Sequence, residues 1–338
     1  MNKEEEVKEN KRTRRADALI DESRTPPWAE EYKQRIKPEF KARYKELLGD
    51  DYDRFINSSF LFQRESFRIN TLKVDESNIK LVLDSLRKNF VLEEIPWFNL
   101  GFFYSGERRD IGNTIEHVLG YIYVQEASSM IPPIVLEPKE DDIVLDIAAA
   151  PGSKTTMIAQ LMNNKGLIVA NDPDYNRIKA LAMNVQRTNS LNVVITNKDG
   201  LRINGSFSKI LVDAPCSGTG TIRKSPKTID IWNPNMIKRL SKLQKKLLQH
   251  AFDMLEKNGV LVYSTCTLEP EEDEGVIDFL LKNNPNADLE DININIKRST
   301  PIMQFNNKYF DDRIEKCLRI WPFDNDTDGF FIAKIRKY

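Results

Sequence analysis

The chain has 338 residues, 40% hydrophobic and 30% charged, with 50 basic and 51 acidic side chains and a net charge of -1. This length allows about two domains of ~150 residues, and the composition excludes a disordered chain; no apolar run reaches the ~18 residues of a membrane span. Three cysteines and two histidines exclude a disulfide scaffold and argue against a metal site, and the charged start MNKEEEVKENKRTRR is no secretory leader, so a cytoplasmic protein with free thiols is expected, and a monomer is the favoured reading.

Residues 1–37 read as a charged extension, with 1–24 mobile and Pro26-Pro27-Trp28 barring a helix. Residues 38–49 and 51–62 have the spacing of short amphipathic helices. ESFRINTLKV (65–74) alternates like a strand, 77–89 has helical period, and FVLEEIPW (90–97) is strand-like again. This β-α-β pattern predicts a small α+β domain over 38–110. From Asp141 the texture changes. Strands are predicted at 143–150, 167–172, 193–196, 209–215 and 259–265, and helices at 155–162, 176–188, 235–255 and 271–282, with a last strand at 329–338. Strand–helix alternation implies an α/β catalytic domain over 111–338 built on a parallel, doubly wound sheet.

Ligands of such sheets bind at the carboxyl ends of the strands. The first strand leads into AAAPGSK: Ala148, Ala149, Ala150, Pro151, Gly152, Ser153 and Lys154. A dinucleotide fingerprint needs three glycines here, and a P-loop needs glycine where Ala148 and Ser153 stand, so both phosphate-binding readings fail. A tight, small-sided turn at a helix start remains. Asp172 ends the second strand, 20 residues past Gly152, where a carboxylate accepts ribose hydroxyls. Asp199 follows the third strand, within reach of an adenine amino group. Each acid alone is ordinarily a cap or turn residue. Together, in order, without a pyrophosphate site, they describe S-adenosylmethionine. Arg177 is placed to pair with Asp172.

The fourth predicted strand ends in Asp213-Ala214-Pro215-Cys216 and the fifth in Ser264-Thr265-Cys266-Thr267. Amino-group methyltransferases carry an Asp/Asn-Pro-Pro-aromatic loop at the first of these places; DAPC lacks the second proline and the aromatic. Buried, inert thiols are common, but these two follow strands in polar loops. Cytosine C5 methylation needs such groups. A thiolate adds to C6 and makes C5 nucleophilic. An acid near N3, the place of Asp213, stabilises developing charge. H5 must then leave so that the thiolate is expelled. The residues alone do not say which cysteine attacks.

With AAAPGSKTT, AND (170–172), DG (199–200), DAPCSGTGTIRKSP (213–226), YSTCTLEPEEDE (263–274) and DGFFIAKI (328–335) in view, the chain resembles the Sun-domain family of RNA cytosine-5 methyltransferases. FRINTLK (67–73) and YVQEASSMIPP (123–133) resemble its amino-terminal portion, and the short archaeal tRNA enzymes are most similar. The resemblance implies a class I methyltransferase fold with a small RRM-like domain that lies beside the catalytic face as an RNA platform. It implies Cys266 as nucleophile, Cys216 as the thiol of product release, and residues 148–154, Asp172, Arg177, Asp199 and Asp213 as the lining of the cofactor pocket. Lys154 would also face the base. Ala148 and Ser153 replace commoner cysteine and glycine, mild changes in a loop that acts through its backbone.

The implied partner is RNA, tRNA ahead of rRNA; a non-catalytic RNA-binding assembly factor is the alternative that the intact Cys216, Cys266 and Asp213 oppose. No appended RNA-binding module is expected, so site choice is expected to rest on the small domain and the basic surface. Two basic stretches are candidate phosphate contacts: 33–45, with six bases against Glu39, and 223–246, with eight against Asp230, including Arg223, Lys224, Lys242 and Lys245. Single charge runs are ordinarily solvated faces. Cys317, His117, His250, Trp28, Trp97 and Trp232 read as packing or surface residues.

Overall fold

A computed structural model describes residues 24–106 and 110–338. Residues 1–23 of the charged extension, the stretch expected to be mobile, lie outside the described residues; of the rest, Pro26-Pro27-Trp28 precedes a short helix, Ala29–Gln34. Strands β1 (Glu65–Ile69), β2 (Val91–Ile95), β3 (Phe98–Ser105) and β4 (Ile122–Val124) form an antiparallel sheet of order β2-β3-β1-β4. The helix Glu76–Leu86 covers one face through Val82, Leu83 and Leu86, which meet Phe67, Ile69 and Phe102. Strand alternation sends Ser66 and Arg68 to the other face, against the larger unit. Two strands of this sheet had no sequence expectation: β3 returns from Pro96-Trp97 as a hairpin, and β4 lies beyond residue 110 yet pairs with β1.

The larger sheet contains β5 (Ile143–Asp146), β6 (Leu167–Asn171), β7 (Val193–Thr196), β8 (Phe207–Asp213), β9 (Leu255–Thr265) and β10 (Ala287–Glu290). A short hairpin, β11 (Gln304–Phe305) and β12 (Lys308–Tyr309), stands apart, and β13 (Leu318–Ile320) and β14 (Phe330–Lys337) complete the sheet. The order is β10-β14-β9-β8-β5-β6-β7, with β13 also on β14. From β7 to β9 all pairs are parallel, as expected. The wholly parallel expectation is corrected at the other edge, where β14 runs antiparallel to β9, β10 and β13. Only short elements separate β10 from β14, and an antiparallel partner needs no crossover helix. Both faces are covered: Ile210 and Val212 pack toward the helices Pro234–Met254 and Glu274–Asn283, and Val144 and Leu211 toward Ile131–Leu136 and Ser153–Leu161. Burial on both sides explains the unbroken apolar run in β8.

The helices Pro38–Leu48 and Tyr52–Ser59 pack on the larger unit. Phe40, Tyr44 and Phe55 stack in series, with centroids 4.3 and 4.8 Å apart, beside Trp232 and Trp321. Trp232, Trp97 and Cys317 are buried in cores, as their packing role requires.

Candidate active site

The order of β7, β6, β5, β8 and β9 brings every predicted site segment to one rim. After β5, residues 147–152 turn tightly: Ala149 N donates to Asn171 O (2.7 Å) and Gly152 N to Ala149 O (2.8 Å). Gly152 has φ +103°, and a Cβ there would stand 2.8 Å from Leu181 Cδ1. The φ requires glycine, and the loop packs closely on Leu181. The helix Ser153–Leu161 starts from this turn.

Asp172 is fully buried after β6. Its carboxylate accepts from Ala150 N (3.3 Å) and Asp174 N (3.0 Å), and Arg177 Nη1 lies 3.2 Å away. Arg177 also donates to Ala150 O. The expected Asp172–Arg177 pair thus fastens the loop. Asp199 is exposed after β7 and accepts from Leu201 N at 3.0 Å. A small-sided loop at a helix start with one carboxylate at each of the next two strand ends fits an adenosyl group without a diphosphate.

At the other end of the rim Asp213 takes two donors: Lys154 Nζ at 2.7 Å and Ser264 Oγ at 2.8 Å. Burial pushes the Lys154 ammonium down, but Asp213, Cys266 and Asp146 outweigh it and hold its pKa above the ordinary lysine value. Burial lifts Asp146 to about 7, with neighbouring Asp213 adding to the rise. The Cys216 and Cys266 sulfurs are 3.3 Å apart. The Cys216 thiol is pushed well up by its contact with Cys266, by burial and by nearby Glu272. Three motifs meet behind it. Gly220 N donates to Cys266 O (3.0 Å) and Gly329 N to Gly220 O (2.9 Å). A Cβ on Gly220 would stand 2.3 Å from Gly329 O, so the glycines of the CSGTG and DGFF segments permit the contact.

A carboxylate network beneath the rim had no sequence expectation. Glu269, Glu272, Asp273 and Glu274 are fully buried. Arg319, also fully buried, bonds Asp273 (2.9 Å) and Glu274 (2.6 Å), and Asp273 accepts from Thr265 Oγ1 at 2.6 Å beside Cys266. Glu269 accepts from Tyr44 Oη (2.9 Å), Trp232 Nε1 (2.7 Å) and Arg43 (2.7 Å). The five acids within EPEEDE, four of them these buried ones, were the available signal. Their burial depends on Arg319 and Arg43, far away in sequence. A second unforeseen link is Arg68, buried, donating to Thr156 Oγ1 at 2.8 Å, which donates to Gly152 O at 2.7 Å.

The basic residues divide. Arg223 is corrected: it is buried, donating to Asp326 (2.9 Å) and Ser58 O (2.7 Å), because it ties the Tyr52–Ser59 helix to the larger unit. Arg35, Lys37 and Arg43 are likewise spent on Asp230, on main-chain oxygens of 230 and 232, and on Glu269 and Glu271. Lys224 and Lys242 are exposed, and Lys245 is half-buried over the Phe279 ring.

The sheet order and this rim define a class I S-adenosylmethionine-dependent methyltransferase fold. The profile described as 16S rRNA methyltransferase RsmB/F matches residues 133–336, and that of the N-terminal domain of 16S rRNA methyltransferase RsmF matches 36–127. The chain belongs to this RsmB/F (Sun-domain) family of RNA methyltransferases. It is 44% identical to a tRNA (cytosine(49)-C(5))-methyltransferase of Pyrococcus abyssi, over 92% of this chain and 99% of that protein. It is 40% identical to ribosomal RNA small subunit methyltransferase F of Shewanella oneidensis, over 84% of this chain but 60% of that one. A methyltransferase homologue of Pyrococcus horikoshii superposes with TM-score 0.81 at 38% identity, covering 93% of this chain and all of that one. NSun6 of the same organism, solved with SFG, gives 0.78 at 26% identity, covering 89% and 98%.

Proposed function

We propose that the chain methylates C5 of cytosine in tRNA, with S-adenosylmethionine as donor and a covalent Cys266–C6 intermediate. The observation that carries this reading is the pair of sulfurs 3.3 Å apart beside the Lys154–Asp213 ion pair. Residues 148–154, Asp172, Arg177, Asp199 and Asp213 hold the cofactor, whose sulfonium supplies an electrophilic methyl group. Cys266 sulfur bonds to C6, which makes C5 an enamine carbon. As sulfur adds to C6, N3 takes up a proton, and Asp213, held by Lys154 and Ser264, faces that N3–H edge. C5 gains the methyl. Loss of H5, assisted by Cys216, then breaks the sulfur–C6 bond and regenerates the thiolate. The small antiparallel sheet with its helix is the RNA platform, and exposed Lys224 and Lys242 with half-buried Lys245 meet phosphates. The protein works as a monomer in the cytoplasm.

tRNA is favoured over rRNA because identity is 44% to the tRNA-modifying relative and 40% to the rRNA-modifying one. Transfer of labelled methyl groups to total tRNA and to 16S rRNA, with bisulfite sequencing of the product, tests the reading. Label at a tRNA cytosine supports it. Label confined to rRNA reassigns the substrate, and RNA binding without label removes the catalytic reading.

A further inference from the structure

Glu272 lies on the turn between the end of β9 and the helix Glu274–Asn283, fully buried. Its Oε2 accepts from Ser217 N at 3.0 Å and from Gln244 Nε2 at 2.8 Å. The same Gln244 Nε2 donates to Pro215 O at 2.9 Å. The two residues therefore hold the chain on both sides of Cys216. Two buried side-chain atoms of the pair have no hydrogen-bond partner: Glu272 Oε1 and Gln244 Oε1. An ionised carboxylate offers only acceptors, so it would leave both oxygens unmatched and a charge buried. A proton on Oε1 supplies the missing donor. The unpartnered Gln244 Oε1, on the amide whose nitrogen already meets Oε2, is the acceptor this reading assigns to it.

We propose that Glu272 is held as the neutral acid in a two-bond ring with Gln244, and that this ring is the positioning clamp of Cys216 for product release. The proposal rests on the reading of Cys216 as the release thiol. Burial lifts the Glu272 carboxyl to about 7, in the direction the ring requires. The ionisable groups facing it are Cys216 on the clamped loop, Tyr263 on β9, whose hydroxyl donates to Glu272 O (2.6 Å), and Glu269 and Asp273 on its own turn. None of these supplies a positive charge. Ionised Glu272 would open the ring, and its charge is the part of the rise in the Cys216 thiol that Glu272 supplies.

The test follows decay of the covalent RNA adduct against pH in wild type, C216A, E272A and E272Q, with an unmodified tRNA transcript and S-adenosylmethionine. In E272A, adduct release slows by at least about tenfold while methyl transfer persists. The E272Q amide provides the donor to Gln244 Oε1 and an acceptor for Gln244 Nε2 and Ser217 N. It restores release, and it removes the fall in release that wild type shows above pH about 7. E272Q as slow as E272A, or with the wild-type pH profile, overturns the clamp. Where E272A does not fold, the E272Q profile decides alone. If C216A accumulates adduct and E272A does not, the clamp fails and the catalytic reading stands. If C216A accumulates none, the catalytic reading itself fails.

Discussion

Along the β5–β7 end of the rim, the polar groups are main-chain amides and carboxylates close to water. Asp172 is buried, but its cation Arg177 is 53% exposed and Asp199 lies on the surface. Beneath the β8–β9 end, four carboxylates and Arg319 are sealed from solvent. The first region acts through backbone shape, so it tolerates exchange among small residues and leaves room for a ligand. The second fixes two sulfurs through a closed charge network and tolerates little. Buried ion pairs are costly to break because the survivor keeps an uncompensated charge.

Breaking the network gives the largest effect. Arg319→Met leaves Asp273 and Glu274 unpaired and should cost about 3–5 kcal/mol of stability. Denaturant unfolding measures it; a loss below about 1 kcal/mol would put Arg319 in the class of surface pairs. On the cofactor side, Asp172→Ala should fold and weaken S-adenosylmethionine by about 1.5–3 kcal/mol, since it removes a charged acceptor. Calorimetry with unchanged cofactor affinity would remove Asp172 from the pocket.

A third contrast is in pH. Asp146 and Glu272 are each lifted by burial to about 7, and Asp328 to about 8. Between the ordinary carboxyl range and these values, the unfolded chain releases protons that the folded chain keeps. Stability should therefore fall as pH rises from about 4 to 8 and then level off. Glu272→Gln should remove its share between about pH 4 and 7. A melting temperature that rises across this window would show these acids ionised in the fold.

The smallest effects concern surface lysines. Neutralising Lys224 and Lys242 should reduce the log–log salt slope of RNA binding by roughly 0.7–0.9 per lost contact, with cofactor affinity unchanged. An unchanged slope makes these lysines solvent-facing only. Arg223→Gln should instead lower stability, because Arg223 bridges Asp326 and Ser58.

The difference between the regions also decides what the sequence could reveal. The cofactor loop, Asp172, Asp199 and both Pro-Cys and Thr-Cys motifs are local patterns at strand ends, legible once strands and helices are read by period. Parallel pairing from β7 to β9 follows from strand–helix alternation. The antiparallel β14 does not, because nothing local marks the missing crossover. Arg223 and Arg43 read as phosphate ligands because a charge run looks alike whether it faces water or a carboxylate distant in sequence. Glu269 lies 226 residues from Arg43 and Asp326 lies 103 from Arg223, separations over which no periodicity operates. Glu272 and Gln244 were invisible for the same reason: their roles appear only when Gln244 Nε2 meets Glu272 Oε2 beside Cys216 and each residue keeps one unmatched oxygen.

The central claim is the division of labour between the two thiols, and denaturing electrophoresis of protein mixed with tRNA and S-adenosylmethionine tests it directly. Cys216→Ala should trap a slow, RNA-containing band, because attack and methyl transfer proceed while elimination stalls. Cys266→Ala and the double variant should show no such band and no methylated product. A band from Cys266→Ala and none from Cys216→Ala would reverse the assignment. No band from any variant or from wild type, even with a 5-fluorocytosine substrate, would contradict the covalent mechanism.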